Sequence, residues 1–442
     1  MFNSKSLIVI MFFYLNAFSQ GPNNGFGIGS EQEWNSSSQN GIASIGLVPS
    51  FQNRISLSNP STWNNLAFTH LSITYGNLES ELYGVSQKNK FSLLKSAQFI
   101  IPIKNKYAIG LELHPYSYQN IILYDAESSN LVISDDTLAL NKQYEQAGGV
   151  MALDLSFSSI LYKDFNIGFE FELLFGSSRT NNKLYVDNIP YTQSSRLSYN
   201  GFNTYLYLTK YLNKVNFYSK LGFSVRPMSV VLTQTFPYDD TNLNGYHDNN
   251  YSLLQGSDFP NINDIPPPTS SKLENIHNIS YLGIGIATKL SKRLQFSIEY
   301  DNKKDDAKLP SALPNSFNYR IYNANSISIG IINFPNMNSF GFFDNFILRT
   351  GFKYSSQDLD NEFFPNENDY DNAVRVNNGF QLKQIGYSIG FGYKFKTVGN
   401  QIDFTYYFGS KDYPMDYGKE NIRRFNIAIS IADIWFIKRR QR

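Results

Sequence analysis

The sequence predicts an all-β chain, a transmembrane antiparallel β-barrel of about 14 strands with an N-terminal plug (hatch) in its lumen. Three observations predict it. From Ala67 to the C-terminus the chain repeats segments of alternating apolar and polar residues, about fourteen times in all. The joins between those segments alternate short and long. The composition combines 36 Phe and 31 Tyr with a mean hydropathy of −0.33. Successive strand residues point to opposite faces. The cleanest segment carries Ile385, Tyr387, Ile389, Phe391, Tyr393 and Phe395 on one face and Gln384, Gly386, Ser388, Gly390, Gly392 and Lys394 on the other. In a soluble sandwich the apolar face would be a core, whereas in a closed barrel it meets lipid and the polar face lines a lumen. A barrel also needs aromatic girdles at both interfaces, which reconciles abundant rings with low mean hydropathy.

Residues 1–19 read as an export signal: Lys5 gives a positive start, Leu7 to Leu15 an apolar core, and Ala17-Phe18-Ser19 a small-residue cleavage site before Gln20. No later stretch approaches the roughly eighteen apolar residues of a spanning helix. A mature chain in a membrane must therefore cross as a barrel, the other structure that satisfies every backbone hydrogen bond in lipid. Export of a barrel points to the bacterial outer membrane. The chain has no cysteine, hence no disulfide framework, thiolate metal site or lipidated N-terminal Cys. A net charge of +1 gives no reason to expect nucleic acid as a partner.

Residues 67–442 are assigned to the barrel. Strands are expected near Thr69–Gly84, Phe91–Ile103, Tyr107–Tyr118, Tyr144–Tyr162, Phe165–Leu184, Arg196–Leu212 and Val215–Thr235. Seven more follow near Asn278–Leu290, Leu294–Asp301, Tyr319–Ile332, Phe343–Ser355, Phe380–Lys396, Gln401–Phe408 and Arg424–Ile437. Tight turns fall at Lys104–Lys106, Lys163–Asp164, Asn213–Lys214, Ser291–Arg293 and Thr397–Asn400. Long polar connections such as Gln119–Gln143, Pro237–His277 and Gln357–Gly379 intervene. This is the pattern of short periplasmic turns and long outer loops. The loop after Pro237 gathers Asp239, Asp240, Asn242, Asn244, Asp248 and Asn249 but lacks the closing Glu of an EF-hand, and reads as a solvated loop.

Residues 20–66 are assigned to the plug. Ser36-Ser37-Ser38-Gln39-Asn40-Gly41-Ile42-Ala43-Ser44-Ile45-Gly46 and the later Asn59-Pro60-Ser61-Thr62-Trp63 suit turns and short helices rather than another strand. With about fourteen strands behind it, this arrangement resembles the outer-membrane long-chain fatty acid and hydrophobic compound transporter family, of the FadL and TodX type. Low Trp with high Asn, Tyr, Phe and Ile is similar to the composition of Bacteroidetes proteins. In the family, a small-residue, glycine-containing stretch and an Asn-Pro-Ala motif lie in the hatch. Here the motif is Asn59-Pro60-Ser61, and the glycine stretch thins to Gly41 and Gly46. The family also tends to end on an aromatic assembly signal, whereas here Trp435-Phe436 precedes the basic tail Ile437–Arg442.

If the apolar face meets lipid, Glu112, Asp154, Glu170, Glu172, Lys220, Arg226, Glu299, Asp301, Arg349, Lys353, Lys394 and Asp403 face the lumen. Both signs are present, which suits a paired network around a plug rather than a single-sign filter. His114, in phase with Glu112, is placed in the lumen near the outer mouth. The histidines His70, His114, His247 and His277 show no helical metal-ligand spacing, and no Gly-x-Ser-x-Gly elbow or phosphate-cradling glycine loop occurs. No catalytic, metal or cofactor set follows from these residues.

Pro115 interrupts the third strand, where a proline removes a ladder hydrogen bond and is tolerated only at edges, bulges or ends. It marks either the rim where that strand ends or a break in the wall. The resemblance implies the break, since in that family a kink in the third strand opens the barrel sideways. The expected function is passive outer-membrane passage of small hydrophobic, fatty-acid-like molecules, with outer-membrane lipids as surroundings. Alternatives are a barrel that engages exported proteins or other outer-membrane or secretion proteins, and a structural barrel with no substrate.

Overall fold

The apolar face of each alternating segment turns outward and its polar face inward, and the segments close into one barrel. The computed structural model describes residues 27–31, 35–82, 88–103, 106–124, 129–133, 136–186, 189–239, 247, 258–261, 264, 266–307, 319–335, 341–361, 380–395, 400–413 and 418–433. The export signal, the basic tail with Trp435-Phe436, and the acidic loop beyond Asp239 lie outside the described residues, apart from His247.

The wall strands are β1 (Thr69–Leu82), β2 (Lys88–Ile103), β3 (Tyr107–Tyr124), β4 (Asp136–Tyr162), β5 (Phe165–Val186), β6 (Ile189–Tyr211) and β7 (Val215–Gln234). They continue as β8 (Ile279–Lys289), β9 (Leu294–Asp305), β10 (Tyr319–Asn333), β11 (Phe346–Asn361), β12 (Phe380–Lys394), β13 (Gln401–Asp412) and β14 (Lys419–Asp433). Each pairs antiparallel with its sequence neighbour, and β14 returns to β1 from Glu420↔Leu82 to Asp433↔Thr69. That pairing closes the barrel and removes the sheet edges. Several strands outrun their alternating stretch: β4 begins at Asp136, not Tyr144, and β3 runs on to Tyr124. Beyond the apolar band the ladder persists, but nothing requires its residues to alternate. Ser129–Ile133 pairs with the outer part of β4, and Thr269–His277 extends β8 along β7 across an irregularity between Leu273 and His277.

β12 shows the sorting of faces. Ile385, Tyr387 and Ile389 are 40%, 48% and 59% exposed, while Gln384, Ser388 and Lys394 are buried inside. Apolar side chains so exposed along a whole wall need lipid around them.

The buried apolar clusters lie inside the barrel. Ile42, Ile45, Leu47 and Val48 pack with Tyr205, Tyr207, Ile332 and Ile347 of the wall, and Phe51, Ile55, Leu57 and Trp63 pack with Ile100 and Ala108. The N-terminal segment thus carries its own apolar residues into the lumen. Wall glycines let it approach closely. A Cβ at Gly351 would lie 2.4 Å from the Ile42 carbonyl carbon, and one at Gly110 would lie 2.3 Å from the Trp63 ring.

Candidate functional site: the packed lumen and the seam beside it

Three features make up the interior: the N-terminal segment within the barrel, labelled the hatch after the expectation for it and held by wall side chains, a cavity above it, and a seam in the wall beside both. The hatch is bound mainly through its backbone. Glu299 of β9 accepts from the Gly46 and Leu47 N–H groups at 2.9 and 2.8 Å. Arg349 of β11 donates to the Ser50 carbonyl at 3.0 Å and pairs with Asp403 of β13 at 2.6 Å. Gln98 of β2 donates both to the Leu57 carbonyl and to Glu112, each at 2.8 Å. A carboxylate or guanidinium buried in this way is offset only when it is paired and hydrogen-bonded. Here the hatch backbone supplies part of that pairing.

Asn59, Pro60 and Ser61 sit at the inner bend of the hatch. The Asn59 side chain donates to the Leu47 carbonyl at 2.9 Å and accepts from the Ser61 N–H at 3.1 Å, capping the 3-10 turn Pro60–Asn65. Pro60 occupies the first turn position, where a missing N–H costs nothing. Ser61 continues the chain of contacts to Thr209 of β6 at 2.6 Å. Serine in place of the family's alanine therefore adds a hydrogen bond to the wall.

Five of the luminal residues chosen from the sequence come together on β3–β7. Glu112, Asp154, Glu170 and Glu172 are buried side by side, with register pairs Glu112↔Asp154 and Asp154↔Glu172. Lys220 of β7 lies 3.9 Å from Glu170 and 4.0 Å from the centre of the Tyr205 ring. His114 is fully buried beside Asp154, at 2.9 Å. Lys394 is buried apart from this group, on β12. Arg226 departs from the expected lumen position: it is exposed at an irregularity of β7, where its charge acts on Glu274. The extra residue there breaks the two-residue phase on which the sequence assignment rested.

Above the hatch lies a cavity of about 310 Å³. Ser44, Gly46 and Ser58 of the hatch line it, with Leu78, Phe91, Tyr116, Tyr205 and Tyr281 and the charged ends of Lys95, Lys353, Lys411 and Arg424. It lies toward the long connections, since Ser80, Gln357 and Lys411 stand near the outer ends of their strands. Glu31 joins Lys303 at 2.6 Å and His277 at 3.8 Å across this space. Burial raises the Glu31 carboxyl, but Lys303 and His277 together hold it below its ordinary value.

The seam was only partly visible in the sequence. Pairing of β1 with β2 reaches Glu81↔Lys88, and pairing of β3 with β4 reaches Tyr124↔Gln143, but pairing of β2 with β3 stops at Ala97↔Leu113. Pro115 lies just beyond that point, followed by a register shift that leaves Tyr116 without a partner in the ladder. Pro115 is thus a mid-strand break and not the strand's end. One edge of β3 is occupied by β4 throughout, so Ser30 and Glu31, paired with Tyr118 and Ser117, take the edge that β2 leaves. Phe91 and Tyr118 meet across the seam with ring centres 4.3 Å apart. Tyr116 turns inward and hydrogen-bonds His277 at 2.7 Å.

Solved structures share this architecture. A Pseudomonas aeruginosa FadL homologue matches with a TM-score of 0.54 at 13% identity, covering 92% of this chain and 99% of that one. The CymD monoaromatic hydrocarbon channel matches at 0.50 and 14% identity, covering 94% and 99%. The Pseudomonas putida toluene transporter TodX matches at 0.50 and 11%, covering 92% and 99%. At such identities the likeness establishes a common fold, that of the FadL and TodX outer-membrane channels. No curated protein matches the sequence. A family model described as BamG matches residues 1–441, and the chain belongs to the BamG family.

Proposed function

We propose that this protein is a bacterial outer-membrane channel for small hydrophobic molecules bearing a polar head, fatty-acid-like compounds among them. Residues 20–66 act as its hatch. The observation that carries this reading is the seam. The β2–β3 ladder ends at Ala97↔Leu113 while the ladders on either side continue, so the wall is weakest beside the cavity. The cavity's rings suit a hydrophobic molecule, and its cationic ends, set among the carboxylates of Glu31, Glu172, Glu299, Asp301 and Glu420, suit a polar head. Its polar head would stay near Lys353, Lys411 and Arg424 while its tail passes Phe91 and Tyr118 into lipid.

A chain without cysteine permits a direct test. Phe91→Cys with Tyr118→Cys, bridged by a bifunctional methanethiosulfonate that joins each cysteine through a disulfide, should stop uptake of a labelled fatty acid into vesicles, and reduction of those disulfides should restore it. Uptake that persists across the bridged seam would sink the lateral route.

A second reading rests on the hatch itself, whose backbone is hydrogen-bonded to wall charges beneath the cavity. A barrel so filled would serve as a scaffold that engages exported proteins. The wild-type arm separates the two: no uptake of any hydrophobic probe by the cysteine-free wild type favours the scaffold.

A further inference from the structure

His114, Asp154 and Glu172 stand on three adjacent strands, β3, β4 and β5, and all three are buried, at 0%, 1% and 2% exposure. Each can offer one ligand atom such that all lie within 4.8 Å of one another. The histidine's tautomer is fixed by its neighbour. Nδ1 lies 3.2 Å from the Pro115 carbonyl, which can only accept, so Nδ1 carries a proton and in the neutral imidazole Nε2 is the nitrogen that presents a lone pair. That lone pair faces Asp154 Oδ2 at 2.9 Å. Two acceptors at this distance need a positive charge or a proton between them.

Asp154 Oδ1 is also buried, without a hydrogen-bond partner. Glu172 is oriented by Asn203 and Tyr205, which donate to its Oε2 at 2.6 and 3.1 Å. Glu112 and Glu170 lie alongside, and Lys220 adds positive charge, 3.9 Å from Glu170. A buried carboxylate cluster of this size is offset either by protons or by further positive charge, and a bound cation supplies the second.

We propose that His114, Asp154 and Glu172 bind one divalent transition-metal cation, with the Pro115 carbonyl orienting the imidazole. The His114–Asp154 distance of 2.9 Å suits it, since two ligands at about 2.1 Å from a metal and about 90° apart sit about 3 Å from each other, and Glu172, within 4.8 Å of both, closes in by a small rotation of its side chain. A neutral imidazole with two carboxylates selects Mn²⁺, Fe²⁺ or Zn²⁺ over Ca²⁺ or Mg²⁺. Backbone carbonyl to histidine to metal is the usual outer-sphere arrangement. Glu172 also lines the cavity, which gives ions a path from outside. The sequence hides the site because its ligands are about twenty to forty residues apart and meet only through strand register.

The test uses full-length barrel in detergent, stripped with chelator and titrated with Mn²⁺ followed by its electron paramagnetic resonance signal, then challenged with Zn²⁺ and with Ca²⁺. The wild type should bind a single Mn²⁺ that Zn²⁺ displaces and Ca²⁺ does not. His114→Gln and Asp154→Asn should each weaken binding by at least about tenfold while the barrel stays heat-modifiable on gels. Should either variant fail to assemble, Glu172→Gln at the cavity wall carries the same comparison. A wild type that holds neither Mn²⁺ nor Zn²⁺, or binding that none of the assembled variants alters, would overturn the proposal.

Discussion

At the scale of single residues, the hatch is held by a few charged wall side chains that meet its backbone. Glu299 is the clearest, with both oxygens occupied by consecutive hatch amides. Glu299→Ala leaves those two donors buried and unanswered, at a cost of about 3 kcal/mol. Hydrogen exchange at Gly46 and Leu47 should therefore quicken roughly a hundredfold with the barrel ladders unchanged, and Glu299→Gln should recover part of the protection. Unchanged exchange at those two amides would show that apolar packing of Ile45 and Leu47 alone holds the segment.

At the scale of elements, the wall was legible because lipid on one side and a polar lumen on the other impose a strict two-residue alternation. The lumen positions of Glu112, Asp154 and Glu299 follow from phase alone. Arg226 did not follow, because a bulge shifts the phase and no sequence signal marks it. The outer ends of β3 and β4 were also hidden, since outside the lipid band nothing forces their residues to alternate. The partnership of Ser30–Glu31 with β3 was invisible for a simpler reason: two residues carry no period. Pro115 was legible as a break in a rule, but its neighbours were not. Restoring an N–H there with Pro115→Val should remove the register shift at Tyr116 and slow uptake of a labelled fatty acid, with assembly intact. Undiminished uptake in a folded variant would leave Pro115 a local irregularity.

At the scale of the whole molecule, the first part of the described chain finds its partners among the last. Ser37 bonds Thr405 of β13 at 2.6 Å and reaches the Asn426 carbonyl of β14 at 3.4 Å, while the Ala43 N–H donates to Ser388 of β12 at 2.7 Å. Contacts across so much sequence form late, because the loop between them must be closed first. This imposes an order of assembly: the hatch, made first, stays unprotected until the final strands arrive. In refolding experiments sampled by pulses of protease, protection of the hatch should appear together with the heat-resistant barrel form and not before it. Protection that precedes closure would mean the segment folds on its own. If the two coincide, the unfolded chain spends its time before closure with an apolar leading segment uncovered, and whatever escorts it must shield Ile42 to Leu57 until the last strand meets the first.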